Sequence, residues 1–102
     1  SSGWQLLQRK IINENPSSPY TILAGDDFLY KSGNSAITFN LPALAASNRG
    51  RLLLFKNKAG TSNNLTISPN GGDTIDGAAS LVLTPGQSAR LYSSGSGEWV
   101  VM

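Results

Sequence analysis

Carboxylates are the only candidates for acid–base chemistry in this sequence, because the chain has six Asp and Glu residues but no His and no Cys. The absence of His and Cys excludes a Ser-His-Asp triad, a thiolate nucleophile, a disulfide framework and a Cys/His zinc site. Two pairs of carboxylates are close in sequence, Asp26 with Asp27 and Asp73 with Asp76. A glycosidase needs two carboxyl groups around one bond, and a calcium site needs several oxygen ligands. These two pairs are therefore the candidates for a catalytic or metal-binding site.

Both pairs also have a structural interpretation, which we favour. Asp26-Asp27 precedes an apolar stretch, where acidic residues cap a turn or the start of a strand. Asp76-Gly77 is a typical hairpin turn. It belongs to a Gly-rich turn motif made of Asn70, Gly71, Gly72, Asp73, Asp76 and Gly77. We predict that the protein is not an enzyme and uses no metal or cofactor. Catalysis by Asp73 and Asp76, or by Glu98, is the least favoured hypothesis.

Aromatic and basic residues are the candidates for ligand binding. Sugar-binding modules stack Trp or Tyr rings on sugar rings, and Trp4 and Tyr30 are the aromatic residues that we expect to be most exposed. We name these two as candidate glycan-binding residues, with a core position as the alternative for each. Four cations flank the most apolar run, namely Arg49, Arg51, Lys56 and Lys58. We interpret them as protection of strand edges against aggregation, with binding of an acidic surface sugar as the alternative.

The elements that must position these residues are short strands. Gly, Ser, Asn, Thr and Pro supply 45 of the 102 residues and cluster between runs of alternating apolar and polar residues. Such alternation indicates half-buried strands, and frequent turn signals between them indicate an all-β domain. The runs begin near Tyr20, Ile37, Arg51, Leu65, Leu81, Ala89 and Glu98. We predict a compact β-sandwich or β-prism-like domain of short antiparallel strands, with at most one short helical turn, within 41–47.

One run, RLLLFK at 51–56, is too apolar for a strand that faces water on one side. It is typical of a strand that is covered on both faces. A chain of 102 residues also buries only a small core, so contact with further copies would add stability. We therefore predict that Leu52, Leu53 and Leu54 form an oligomer interface.

The sequence divides into an N-terminal strand and loop at 1–19 and a β domain at 20–102. The stretch Trp4 to Ile12 fits a strand, with a helix as the alternative. No run approaches the roughly 18 apolar residues of a membrane span, so we expect no membrane insertion. A net charge of +2 is too small to indicate nucleic-acid binding.

Several segments follow one another in a fixed order along the chain. They are YTILAGDDF at 20–28, AITFNLPA at 36–43, NRGR at 48–51, LTISPNGGDTIDG at 65–77, LVLTPGQS at 81–88 and GEW at 97–99. Together they resemble the small β-domain modules of bacteriophage tail fibres and tailspikes, which belong to receptor-binding proteins. The resemblance covers about 20–102, and the long match at 70–77 is its most specific part.

The resemblance implies a compact β unit that assembles as a homotrimer, lies in the virion and contributes to adsorption of the phage to the host surface. It implies no catalysis, because tailspike depolymerases place that activity in a separate, larger domain. The leading hypothesis is a non-enzymatic, trimeric tail-fibre or tailspike module. The alternative is a carbohydrate-binding module that itself grips a bacterial surface polysaccharide.

Overall fold

The computed structural model describes residues 12–102, and their regular secondary structure is almost wholly β-strand. They contain ten strands and one 3₁₀ turn, η1 (Ala46–Asn48). The strands are β1 (Ile12–Glu14), β2 (Tyr20–Thr21), β3 (Phe28–Lys31), β4 (Ile37–Asn40), β5 (Leu52–Asn57), β6 (Leu65–Ser68), β7 (Thr74–Ile75), β8 (Leu81–Leu83), β9 (Ser88–Ser93) and β10 (Glu98–Val101). The prediction of an all-β domain with at most one helical turn is therefore confirmed. No helix in these residues is long and apolar enough to cross a membrane.

The strands form two sheets. The large sheet has the strand order β1-β3-β5-β9-β10-β7, and the small sheet has the order β2-β4-β6-β8. Phe39 of the small sheet and Phe55 of the large sheet have ring centroids 5.8 Å apart. The two sheets therefore face each other across a shared core, which makes the architecture sandwich-like.

The first six strands wind as a flattened coil. Successive strands alternate between the sheets, so β1, β3 and β5 pair in parallel in the large sheet, and β2, β4 and β6 do so in the small one. The remaining strands close the far side of both sheets. β8 and β9 run antiparallel to β6 and β5, β10 runs antiparallel to β9, and β7 pairs in parallel with β10.

The prediction of antiparallel strands is wrong for this coil, since all four of its strand pairings are parallel. A short alternating run followed by a turn looks the same whether the next strand pairs beside it or crosses to the other sheet. Parallel neighbours need a connection of about a dozen residues or more. Here the intervening strand of the opposite sheet lies within that connection.

The described part of the N-terminal segment belongs to the large sheet. β1 pairs with β3, with Ile12 opposite Phe28 and Glu14 opposite Tyr30. Trp4, and with it most of the run that was interpreted as a strand, lies outside the described residues.

The core lies between the two sheets and follows the two-residue period of the strands. In β4, Ile37 and Phe39 are buried while Thr38 and Asn40 point outward. The buried hydrophobic residues are Ile22, Leu29, Ile37, Phe39, Leu41, Leu53, Phe55, Leu65, Ile67, Ile75, Leu83, Leu91 and Trp99. Phe39 and Trp99 are the two largest of the completely buried hydrophobic side chains.

The Asp76-Gly77 pair forms the tight turn that its sequence predicts. Ile75 and Ala78 exchange backbone hydrogen bonds of 2.9 and 2.8 Å. Asp76 and Gly77 have φ values of 48° and 82°, which is the left-handed pair that a type I′ turn requires. Earlier in the motif, the backbone N–H of Asp73 donates to the carbonyl oxygen of Asn70 at 2.9 Å, and Gly71 has a φ of 51°. The whole motif therefore serves as turn structure.

Candidate interaction face

The large sheet presents an outward side that is unusually apolar, and we call it the outer face. In β3, Leu29 and Lys31 point inward, so Phe28 and Tyr30 point outward. In β5, Leu53, Phe55 and Asn57 are buried, which places Leu52, Leu54 and Lys56 outward. The strand register then lines up these residues with their neighbours in three rows across the sheet.

The first row is wholly apolar. Leu52 of β5 lies opposite Tyr92 of β9, which lies opposite Val100 of β10. Their side chains are 45%, 37% and 37% exposed. Three large apolar groups in contact range on adjacent strands form a patch rather than isolated exposures, and such patches mark interaction sites.

The second and third rows become steadily more polar. The second row contains Phe28, Leu54 and Arg90, and the N–H of Met102 donates to the carbonyl oxygen of Arg90 at 2.8 Å. The third row contains Glu14, Tyr30, Lys56 and Ser88. The outer face therefore grades from apolar at the start of β5 to charged at its end.

The three leucines predicted as an interface do not share one environment. Leu53 is 0% exposed and belongs to the core of the single chain, so its assignment to an oligomer interface is wrong. Leu52 and Leu54 lie on the outer face. The reason is the two-residue period of a strand, which sends the middle leucine to the opposite side from its neighbours. The run is covered on one face by the chain itself.

Tyr30, a candidate glycan-binding residue, lies on the outer face beside Phe28. Their ring centroids are 5.6 Å apart with an interplanar angle of 21°, so the two rings stack. Phe28 also lines an open groove of about 360 Å³ with Leu54, Lys56, Arg90 and Met102. The groove therefore places one ring of the stacked pair beside two cations, Lys56 and Arg90. Trp4 lies outside the described residues.

Three of the carboxylates singled out by the sequence, Asp26, Asp73 and Asp76, accept hydrogen bonds from backbone amides. Asp26 is buried, and its Oδ2 accepts hydrogen bonds from the N–H of Leu23 at 2.9 Å and the hydroxyl of Tyr20 at 2.7 Å. The N–H of Leu44 donates to Asp73, and that of Val101 donates to Asp76, each at 3.1 Å. Each carboxylate thus holds a different loop or strand end. The described residues contain no cluster of three or more ligating side chains that could hold a metal ion.

The basic residues around β5 mainly tie loops to strands. Arg51 donates from Nη2 to the carbonyl oxygens of Leu23 and Asp26, at 2.6 and 2.8 Å. Arg49 donates from Nε to the carbonyl oxygen of Ser94 at 3.1 Å. These contacts give both arginines a structural role within the chain.

Sequence reasoning missed the most unusual charged residue, Lys31. Its side chain is 0% exposed, although lysine is almost never fully buried without a partner charge. The signal was present in the alternation of β3, because Lys31 has the same parity as Leu29 and must point into the sandwich. Burial lowers the pKa of Lys31 from its ordinary value of 10.5.

No family model matches the sequence, and no curated protein matches it. The proposals below therefore depend on the contacts and exposed surfaces of the chain and on the resemblance of residues 20–102 described above.

Proposed function

We propose that this chain is a structural and adsorption module of a phage tail fibre or tailspike, and that it assembles as a homotrimer through the outer face of the large sheet. The observation that carries the assembly part is the first row, Leu52, Tyr92 and Val100. The sheet already covers its inner side with the core, so the row adds nothing to the folding of one chain. A second copy is the occupant that would remove it from water.

The geometry of the outer face suits a protein surface better than a small ligand. Neighbouring strands lie about 4.8 Å apart, and same-side residues about 6.8 Å apart along a strand. The first row and the apolar residues of the second row, Phe28 and Leu54, therefore form a broad, shallow patch, and Arg90 and the third row supply the charge beside it. A central apolar region with a polar rim is the usual anatomy of a stable interface. The placement in a virion and the role in adsorption are supported by the resemblance of residues 20–102.

The mass of the chain in solution tests the assembly part of this proposal. We expect native mass spectrometry and light scattering at micromolar concentration to give three times the 10.7 kDa of one chain. Leu52→Lys should convert the trimer to a monomer, because it places a charge in the apolar row. Val82→Lys is the matched control, since Val82 is also 45% exposed but lies on the small sheet. A stable monomer for the unchanged chain would contradict the proposal.

The stacked pair Phe28 and Tyr30 favours a second candidate function, binding of a bacterial surface polysaccharide. Lys56 lies beside Tyr30 in the third row, away from the first row. On this alternative, the chain binds members of an array of capsular and O-antigen polysaccharides, and Tyr30→Ala abolishes that binding without changing the solution mass. Binding that survives in Tyr30→Ala would rule out this pair as the sugar platform.

A further inference from the structure

Lys31 ends β3 with its ammonium group inside the sandwich, where four oxygen atoms surround it. Nζ lies 2.7 Å from the carbonyl oxygen of Gly33 and 2.7 Å from that of Ser62. It lies 3.2 Å from Oδ1 of Asn57 and 3.3 Å from Oγ1 of Thr61. All four oxygens are uncharged, and in the described residues no carboxylate is among the hydrogen-bond partners of Nζ. A buried charge without a counter-ion is rare, because it is costly to remove from water.

The oxygens around Lys31 match the coordination of a monovalent cation. An ammonium group has three donors, and four acceptors converge on it here. Carbonyl and hydroxyl oxygens without carboxylates are the ligands that replace the hydration shell of K⁺ in selective sites. Calcium sites instead recruit several carboxylates. The surroundings of Nζ therefore suit a singly charged cation.

The four ligands come from segments that are distant in sequence. Gly33 belongs to the turn after β3, Asn57 ends β5, and Thr61 and Ser62 lie in the loop between β5 and β6. Asn57 extends the network, because its Nδ2 donates to the carbonyl oxygens of Asn63 and Leu83 at 3.1 and 2.9 Å. The ammonium thus joins two loops and the end of a central strand, as a structural metal ion does elsewhere.

We infer that Lys31 fills a monovalent-cation site built from the oxygens of Gly33, Asn57, Thr61 and Ser62, and that the site takes up K⁺ or an ammonium ion when the lysine side chain is removed. The natural side chain makes the site independent of free ions. A truncated side chain leaves the oxygens converging on an empty space.

The test is cation rescue of Lys31→Ala, measured by thermal unfolding at constant ionic strength. We expect the Tm of Lys31→Ala to fall by roughly 10 °C, because buried Asn57 and three partly buried acceptors lose their donor. Potassium, ammonium or methylammonium chloride should restore part of this loss in a saturable way. Tetramethylammonium chloride should not, because this cation is too large for the space and its methyl groups keep its charge away from the oxygens.

Two controls make the result specific. The unchanged chain should unfold at the same temperature in potassium and tetramethylammonium chloride, because its site is filled. Lys31→Met fills the space with an apolar group, so it should be destabilised but insensitive to the cation. Equal unfolding of Lys31→Ala in all salts, or a Lys31→Met variant as stable as the unchanged chain, would overturn the inference.

A measurement on the unchanged chain covers the case in which Lys31→Ala does not fold. Side-chain ¹⁵N NMR at neutral pH should show one lysine NH₃⁺ group whose protons exchange slowly with water, and Lys31→Met should lack that signal. Absence of a protected NH₃⁺ signal from the unchanged chain would overturn the inference. Because this site lies on the inner side of the sheet, its failure is separate from any failure of the outer face to trimerise.

Discussion

The two outward sides of the sandwich differ in chemistry, although both sheets contribute apolar side chains to the core between them. On the small sheet, Thr38 lies opposite Thr66, which lies opposite Val82. The equivalent row of the large sheet contains Leu52, Tyr92 and Val100. The small sheet thus alternates apolar-in and polar-out, as a sheet that faces water does. The large sheet keeps apolar groups on both sides.

This difference distinguishes the apolar residues that the fold of one chain requires from the additional apolar residues on the outer face. A sandwich requires one apolar side per sheet, and the small sheet has no more than that. Val82 is a single exposed apolar residue beside two threonines, which is normal on a soluble surface. Leu52 has the same exposure but lies in an apolar row. The neighbours of an exposed residue therefore carry more information than its exposed fraction.

Leu52 and Leu53 are adjacent in β5 but point to opposite sides of the sheet, so truncating each of them tests the difference between the outer face and the core. Leu53→Ala should reduce the free energy of unfolding by about 3–4 kcal/mol, because it leaves a cavity in the core. Leu52→Ala should cost less than about 1 kcal/mol in the monomeric state. Urea unfolding at low protein concentration measures both. Similar losses for the two variants would mean that the inward and outward assignments of β5 are incorrect.

A second prediction concerns a variant in which an apolar row is built on the outward side of the small sheet. Thr38→Val and Thr66→Val together would place three β-branched apolar residues in one row with Val82. Because valine has nearly the shape of threonine and neither hydroxyl makes a hydrogen bond within the described residues, the fold should be retained. We expect the double variant to self-associate, because burial of the new apolar row between two copies contributes about 1–2 kcal/mol to the free energy of association for each contact. Sedimentation velocity should then show species larger than those of the unchanged chain.

The control for this double variant is the single variant Thr38→Val, which leaves Thr66 in the middle of the row. It should sediment like the unchanged chain. If the double variant also does so, an apolar row alone does not promote association, and the case for the outer face of the large sheet weakens accordingly.

The alternating strands and their turns could be predicted from the sequence because each depends on neighbours along the chain. The pairs Ile37 and Phe39, and Asp76 and Gly77, need only a strand period or a turn type. The parallel coil could not be predicted, because pairing depends on contacts between distant residues. The side taken by each leucine of 52–54 was hidden as well, since three identical residues carry no alternation. Lys31 was missed because its ligands come from loops that only the fold brings together.

The inner sides of the two sheets also differ at one place, which gives a third prediction. The large sheet buries Lys31, Asn57 and Ser93, whereas the buried residues of the small-sheet strands are apolar. Burial holds the pKa of Lys31 below the 10.5 of an unfolded lysine. Between these two pKa values the unfolded chain binds more protons, so the stability of the folded chain rises with pH in that window.

The comparison that isolates this effect is the unchanged chain against Lys31→Met, which lacks the titrating group. The difference in unfolding free energy between them should move in favour of the unchanged chain as pH rises toward 10.5. Chemical unfolding at a series of alkaline pH values measures it. A difference that moves the other way would mean that the four oxygens raise the pKa of Lys31 above its ordinary value.

The smallest expected effect concerns salt, and it distinguishes the first row of the outer face from the third. Association through Leu52, Tyr92 and Val100 should strengthen slightly in sulfate, which favours burial of apolar surface. Association through Glu14 and Lys56 should instead weaken, because salt screens exposed charges beyond about 10 Å at 0.1 M. Sedimentation equilibrium in sodium chloride and sodium sulfate at matched ionic strength separates the two. Weakening in both salts would place the contact at the charged end of the outer face and leave the apolar row outside it.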